Sequence, residues 1–431
     1  MRAVVGPLIL ASRLAAQTLP VPTLPPERPP DTGPTTPDQG APAAEAGARA
    51  IEPPRRWEYG LGVGVGYDSN IEFLLPEGPS SWAISPRGNF SRFFRSPKGE
   101  LRLGGMANWV GYAEQKDLNR YSADVSLDGS YRSSPNTTWR GRASYDFGYS
   151  DSSQTLSSQG VLLPLVRTWT VTGALGVNHQ LAQRTSFRLD GRFYRTEFDE
   201  QDAEALGLVN GQSLRATANL RQALGTRDSV AIEYSLEGAL APPSPERVEG
   251  DGRRYYLTHF GSLQWSHLFS PRSGILLEGG VSYTPDAARA GLDRQESFYG
   301  GASYSRQVRS SSATLFARRE VIPAFGLGVS RIENRFGLTA TIPLGRAWAL
   351  RLEGTHMDPE TPEASAFAYG TPDEGSVALS WRLARHFEIS SEGRYRRRGA
   401  TAEVPVIEAY QVGLFLSLVS PSGGSGFRLG R

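Results

Sequence analysis

Between Trp57 and Ser420, apolar and polar residues alternate in runs of about a dozen, each run closed by turn-forming residues. Val230, Ile232, Tyr234 and Leu236, interleaved with Ala231, Glu233, Ser235 and Glu237, show the pattern cleanly. A period of two gives a strand one apolar face and one polar face. Eighteen runs can be drawn: 57–68, 82–94, 100–113, 119–132, 137–150, 167–181, 185–198, 213–224, 228–240, 255–269, 273–284, 296–308, 312–322, 330–342, 346–356, 375–384, 387–397 and 407–419. Tilted strands of about ten residues suffice to cross the hydrocarbon layer of a bilayer. Only closure into a barrel then satisfies every backbone group in lipid. The pattern predicts an all-β fold, a transmembrane antiparallel up-and-down β-barrel of about 18 strands, over residues 57–420.

The connections support this independently. Short ones (95–98, 133–136, 225–227, 270–272) alternate with long ones (151–166, 199–212, 241–254, 285–295, 357–374). Outer-membrane barrels pair short periplasmic turns with longer extracellular loops. An even strand number then puts both barrel termini in the periplasm. Trp139, Trp348 and Phe187 fall near one end of their segments, and Tyr149, Trp169 and Tyr283 near the other, as two interfacial aromatic girdles require. A soluble sandwich or solenoid also alternates, but needs neither girdles nor a loop rhythm.

Outside the repeat, Arg2 precedes a short apolar stretch, Ala3 to Leu14, ending in Ala15-Ala16. This has the form of a secretory signal peptide over 1–16, interrupted by Arg13. Residues 17–56 hold eleven prolines and no periodicity, which predicts a disordered Pro-rich periplasmic linker. Pro22–Pro25 and Pro26–Pro29 could alternatively serve as polyproline contacts for a periplasmic partner. Residues 421–431 form a short C-terminal tail.

The absence of Cys excludes disulfide and thiolate chemistry. A formal charge of +2 implies no polyanion-binding field, and no nucleic-acid partner is expected. Charge matters more locally, because the alternation assigns each charged residue to a face. On the fifth and seventh segments Arg140, Arg142, Asp146, Arg188, Asp190 and Arg192 fall on the polar face. Arg215, Arg221, Glu233, Glu237 and Glu278 follow on the eighth, ninth and eleventh. Glu333, Arg335, Arg351, Glu353, Arg382, Glu388, Glu392, Arg394 and Arg396 complete the set. A charge on the lipid face costs about 2–4 kcal/mol near the midplane, so these residues are expected to line the lumen. Both signs occur in similar numbers, which predicts a hydrated interior without a strong ion filter. They could equally pair across strands and stiffen the wall.

No catalytic constellation stands out, and no enzyme activity or cofactor is expected. His179, His259, His267, His356 and His386 are scattered, without metal-ligand spacing. Gly62-Val63-Gly64-Val65-Gly66 alternates within a strand and precedes no helix, so it is no phosphate loop. Its glycines fit tight curvature at the barrel seam.

The opening strand runs through those glycines into Tyr67-Asp68-Ser69-Asn70-Ile71. A Gly-rich first strand leading into Tyr-Asp-Ser-Asn resembles the β-barrel porins of exopolysaccharide gene clusters in Gram-negative bacteria. Related openings occur in other barrel groups, and Asp68 and Asn70 also suit a turn. The resemblance implies an outer-membrane barrel that acts with a periplasmic polysaccharide-export protein to release a polysaccharide cargo. The final segment, Gln411 to Leu418, resembles the C-terminal signal read by the barrel-assembly machinery, although residues 420–431 follow it. The expected surroundings are outer-membrane lipid. The alternative is a general or sugar-selective diffusion porin, although loop 151–166, with Asp151 as its one acid, lacks an acidic eyelet.

Overall fold

A computed structural model describes residues 57–71, 78–149, 166–199, 210–241, 254–286, 295–324, 329–345, 347–360, 372–384, 386–399 and 406–419. All eighteen expected segments are strands: β1 (Trp57–Asp68), β2 (Ser81–Ser96), β3 (Gly99–Tyr112), β4 (Arg120–Ser134), β5 (Thr137–Tyr149), β6 (Arg167–Ala182), β7 (Thr185–Phe198), β8 (Gly211–Ala223), β9 (Asp228–Ala241), β10 (Arg254–Ser270), β11 (Ser273–Tyr283), β12 (Glu296–Val308), β13 (Ser311–Ala324), β14 (Val329–Leu344), β15 (Trp348–Glu360), β16 (Pro372–Arg382), β17 (Phe387–Arg398) and β18 (Ile407–Val419). Each pairs antiparallel with its sequence neighbours, and β1 pairs with β18 from Gly60↔Val419 to Asp68↔Gln411. The sheet therefore closes, and no edge strand presents unpaired backbone to lipid.

Turns of two to four residues join the strands at the end that carries Trp57 and Val419, the turn end. Connections of up to seventeen residues join them at the other, the loop end. The expected loop rhythm is thus present, and only strand boundaries shift. The largest shift is at β15, which runs to Glu360, past the breaker-like Asp358-Pro359. Its last pair with β16 is His356↔Asp373, so beyond that point only the β14 side of β15 is paired and the missing Pro N–H is tolerated.

Burial alternates with the same period as the sequence. Along β9, Ile232 and Tyr234 are exposed while Glu233, Ser235 and Glu237 are buried. The buried face is the concave one, because its side chains reach over an intervening strand. Arg87 on β2 donates to Ser417 on β18 at 3.1 Å across β1, and Arg221 on β8 donates to Ser266 on β10 at 3.2 Å across β9. Outward-facing apolar side chains such as Leu175, Leu214, Leu263 and Phe298 form the complementary belt. Trp139, Phe187, Trp348, Tyr149, Trp169 and Tyr283 all share the outward parity of this belt. At the turn end Trp348 and Trp381 stack across β15 and β16 with centroids 5.0 Å apart.

Four of the five histidines belong to the same outer surface. His179, His259, His267 and His356 face outward, each bonded to the next strand: Thr137 (2.8 Å), Tyr234 (2.8 Å), Asp228 (2.9 Å) and Asp373 (2.5 Å). Among the described residues no group of three or more His, Asp or Glu side chains could hold a metal ion.

Candidate functional site: the charged inner wall

Strand alternation places the charged residues on the inner face, and register then decides which of them meet. Three stretches of wall result, and they differ.

The first stretch spans β8 to β11 and is packed. Arg215 lies 3.7 Å from Glu237, donates to Ser235 at 3.3 Å and stacks 4.4 Å over the Phe260 ring. Asn219 and Gln264 donate to Glu233 at 3.2 and 3.4 Å, and Ser262 donates to Glu278 at 2.8 Å. Arg221 donates to Ser229 at 2.6 Å. Buried polar groups are tolerated because nearly every one has a partner.

The second stretch runs from β13 through β18 to the seam at β1 and β2. Successive inward pairs ladder up the strands: Arg318–Glu320 at 3.3 Å, Arg335–Glu333 at 2.8 Å and Arg351–Glu353 at 3.1 Å. Arg394 pairs with Glu374, and Glu392 has Arg394, Arg351 and Arg87 as charged neighbours. Arg382 stands opposite Glu388 in register, near the turn end. Arg396, 1% exposed, reaches across β18 to Asp68 on β1 at 3.6 Å.

The seam depends on the glycines of β1. A Cβ on Gly64 would stand 2.1 Å from the Phe415 ring, and one on Gly62 would stand 2.9 Å from Ser417 and 3.1 Å from Arg87. These glycines therefore vacate inner-wall space into which Phe415 and Arg87 pack, with the guanidinium 4.3 Å over the ring. Curvature is only part of their role. The Tyr67–Asn70 motif likewise does more than turn the chain. Asp68 accepts the Asn70 N–H at 2.8 Å while facing Arg396, and Ser69 Oγ accepts the Tyr410 N–H at 3.0 Å. The motif ties the loop end of β1 to β17 and β18.

The third stretch, on β3 to β7 near the turn end, is open. Arg142 pairs with Asp128 at 3.2 Å and Arg188 with Asp190 at 2.6 Å, all part-exposed. Asp146, higher on β5, accepts from Ser144 at 3.1 Å. Arg140 and Arg192 make no ion pair among the described residues. A cavity of about 380 Å³ lies against this stretch.

All twenty charged residues that the alternation singled out are on the inner parity. Sequence reasoning passed over Asp68, Arg87, Arg102, Asp128, Arg318, Glu320 and Glu374, which share that face. Extending the parity rule to β1–β4, β13 and β16 would have found them. The expected balance of charge holds for the packed stretches and fails for the open one, where arginine predominates.

The family model described as "Putative beta-barrel porin 2" matches residues 60–260. That match spans less than half of the chain and agrees with the closed 18-strand antiparallel sheet and its apolar outer belt. The chain has a porin-like outer-membrane β-barrel fold. That fold fits the outer membrane of a Gram-negative cell. Among solved structures, the barrel is similar to the siderophore receptor PirA from Pseudomonas aeruginosa, at 11% identity over 85% of this chain and 81% of that one, with a TM-score of 0.43. It is also similar to the outer membrane protein opdK from Pseudomonas aeruginosa, at 14% identity over 84% and 98% of the two chains, with a TM-score of 0.42. No curated protein matches the sequence.

Proposed function

We propose that the barrel is a non-enzymatic outer-membrane pore for export of a secreted polysaccharide, working with a periplasmic polysaccharide-export protein. The observation that carries the pore reading is the inner wall: charges and hydroxyls face inward on every part of the sheet, beneath an apolar exterior. Such a wall can hydrate a polar solute along its path. Around eighteen strands leave room for a hydrated chain unless loops fill it. Export, as against diffusion, rests on the resemblance of Gly62–Ile71 to barrels of exopolysaccharide clusters. In this reading 1–16 is a signal peptide, 17–56 a periplasmic linker, 57–420 the barrel inserted by the assembly machinery and 421–431 a tail, with both barrel ends periplasmic. Residues 1–56 and 150–165 lie outside the described residues.

A second reading, a general or sugar-selective diffusion porin, is favoured by the description of the family model alone. Deleting the gene and staining for surface polysaccharide separates the two. Loss of surface polymer with small-solute uptake unchanged is the expected result. Normal polymer with impaired uptake would leave the porin. In planar bilayers the purified barrel is expected to conduct, and a barrel that never conducts would sink both readings.

A further inference from the structure

The open stretch of inner wall is built differently from the rest, and the difference has chemical content. Arg102, Arg140, Arg142, Arg188 and Arg192 line one cavity with Phe93. Asp128 and Asp190 neutralise Arg142 and Arg188. Glu100, also at the cavity, is engaged at 3.5 Å by Arg95. Arg102 donates to Ser91 Oγ at 2.9 Å and lies 5.6 Å from the Phe93 ring, opposite Asp128 in register but with no ion pair to it. Five guanidinium groups thus face three carboxylates at this cavity, and those of Arg102, Arg140 and Arg192 make no ion pair among the described residues. Each presents a planar fork suited to a carboxylate. The part-exposed Phe93 ring adds an apolar surface of the kind a sugar ring can lie against. The facing side chains Ser130, Ala174 and Gly176 are small and leave the arginines accessible.

We infer that this stretch is a binding site for a carboxylate-bearing saccharide, at the turn end of the barrel. It rests on the reading of the lumen as a solute path and names the solute class: an acidic sugar polymer, met by the arginine wall as it enters. The packed stretches offer less, because Arg215, Arg318, Arg335, Arg351 and Arg394 already pair with acids, Arg221 bonds serines and Arg398 is buried.

The test is conductance of the purified full-length barrel in planar bilayers, with tetragalacturonate as probe and maltotetraose and inorganic phosphate as controls. The expected result is anion-over-cation selectivity and current block by tetragalacturonate at concentrations at least about tenfold below those of either control, since charge-assisted bonds to a carboxylate are the strong ones. Arg140→Gln with Arg192→Gln should weaken the block about tenfold or more, whereas Arg140→Lys with Arg192→Lys, which keeps the charge and loses the fork, should keep the anion selectivity and weaken the block less than the Gln pair. A conducting barrel without anion preference, equal block by tetragalacturonate and maltotetraose, or equal block by phosphate would overturn the saccharide-acid assignment while leaving the pore intact. A barrel that does not conduct would instead overturn the pore reading on which it rests. Gln variants that fail to fold are replaced by the single Arg140→Gln, whose side chain is exposed and carries no described contact.

Discussion

Arg396 on β17 and Arg140 on β5 occupy equivalent places in the alternation, both inward on strands that run from the turn end toward the loop end. Their surroundings are opposite. Arg396 is 1% exposed and faces a fully buried Asp68, whereas Arg140 is exposed and makes no ion pair among the described residues. The difference comes from the neighbours. At the seam, β1 contributes glycines at inner positions, so Phe415, Arg87 and Ser417 close over the wall. On β3 to β7 small residues also face inward, but no large side chain fills the space they leave. Small inner residues therefore have two outcomes, a packed seam or an accessible wall, depending on what the flanking strands supply.

Breaking the seam tests the first half of this comparison. Asp68→Ala leaves Arg396 buried without its acid, and removing one partner of a buried pair costs about 3–5 kcal/mol. The urea midpoint of the refolded barrel should fall accordingly, and Arg396→Met added to Asp68→Ala should restore most of it. A single variant as stable as the parent would show that the seam charge is not locked.

The two faces of the open stretch can be set against each other. Leu175, 61% exposed, points outward from β6. Leu175→Arg should cost about 2–4 kcal/mol in a lipid environment if the outer belt lies in the bilayer. The same substitution measured in detergent and in lipid vesicles should differ in that direction. Equal stability in both media would argue against membrane burial of this position.

A smaller effect separates the two kinds of inner glycine. Gly64→Ala forces its Cβ onto the Phe415 ring at 2.1 Å, and overpacking of this sort costs about 1–3 kcal/mol. Gly176→Ala on the open stretch meets the Asp190 carboxylate at 2.3 Å, the far end of a side chain that can swing away, so it should cost under about 1 kcal/mol. Phe415→Ala should remove the penalty at Gly64 and leave Gly176 unaffected. If both glycine variants cost the same, the contrast between seam and open wall is not one of packing.

The parts of this architecture legible in the sequence are those governed by local periodicity. Alternation assigns each strand and each charge to a face, since a one-residue slip would invert both. Loop length gives strand direction. What alternation does not encode is which strands meet around the ring. The Asp68–Arg396 pair joins residues 328 positions apart and exists only because β1 closes on β18. Asp68 and Asn70 read as turn formers for that reason, and the glycines as a source of curvature. The uneven distribution of arginine was hidden by the same limit. A count of signs along the chain is balanced, whereas the cavity gathers β3, β5 and β7 residues that sequence distance keeps apart.

The smallest stability effect carries the most functional weight. Arg140 is exposed and without an ion pair, so Arg140→Gln should change the urea midpoint by no more than about 0.5 kcal/mol equivalent. Surface-like charges contribute little to folding, and here there is no partner to orphan. The same substitution reduces the excess of five guanidinium groups over three carboxylates at the open wall, so ion selectivity in bilayers should shift toward cations even though the fold is untouched. A residue that stabilises nothing and yet sets selectivity is what an accessible wall predicts, and what a wall built only for stiffness would not contain. Arg394, buried against Glu374, should behave in the reverse manner, with Arg394→Gln costing stability and leaving the selectivity of any barrel that still folds close to the parent's.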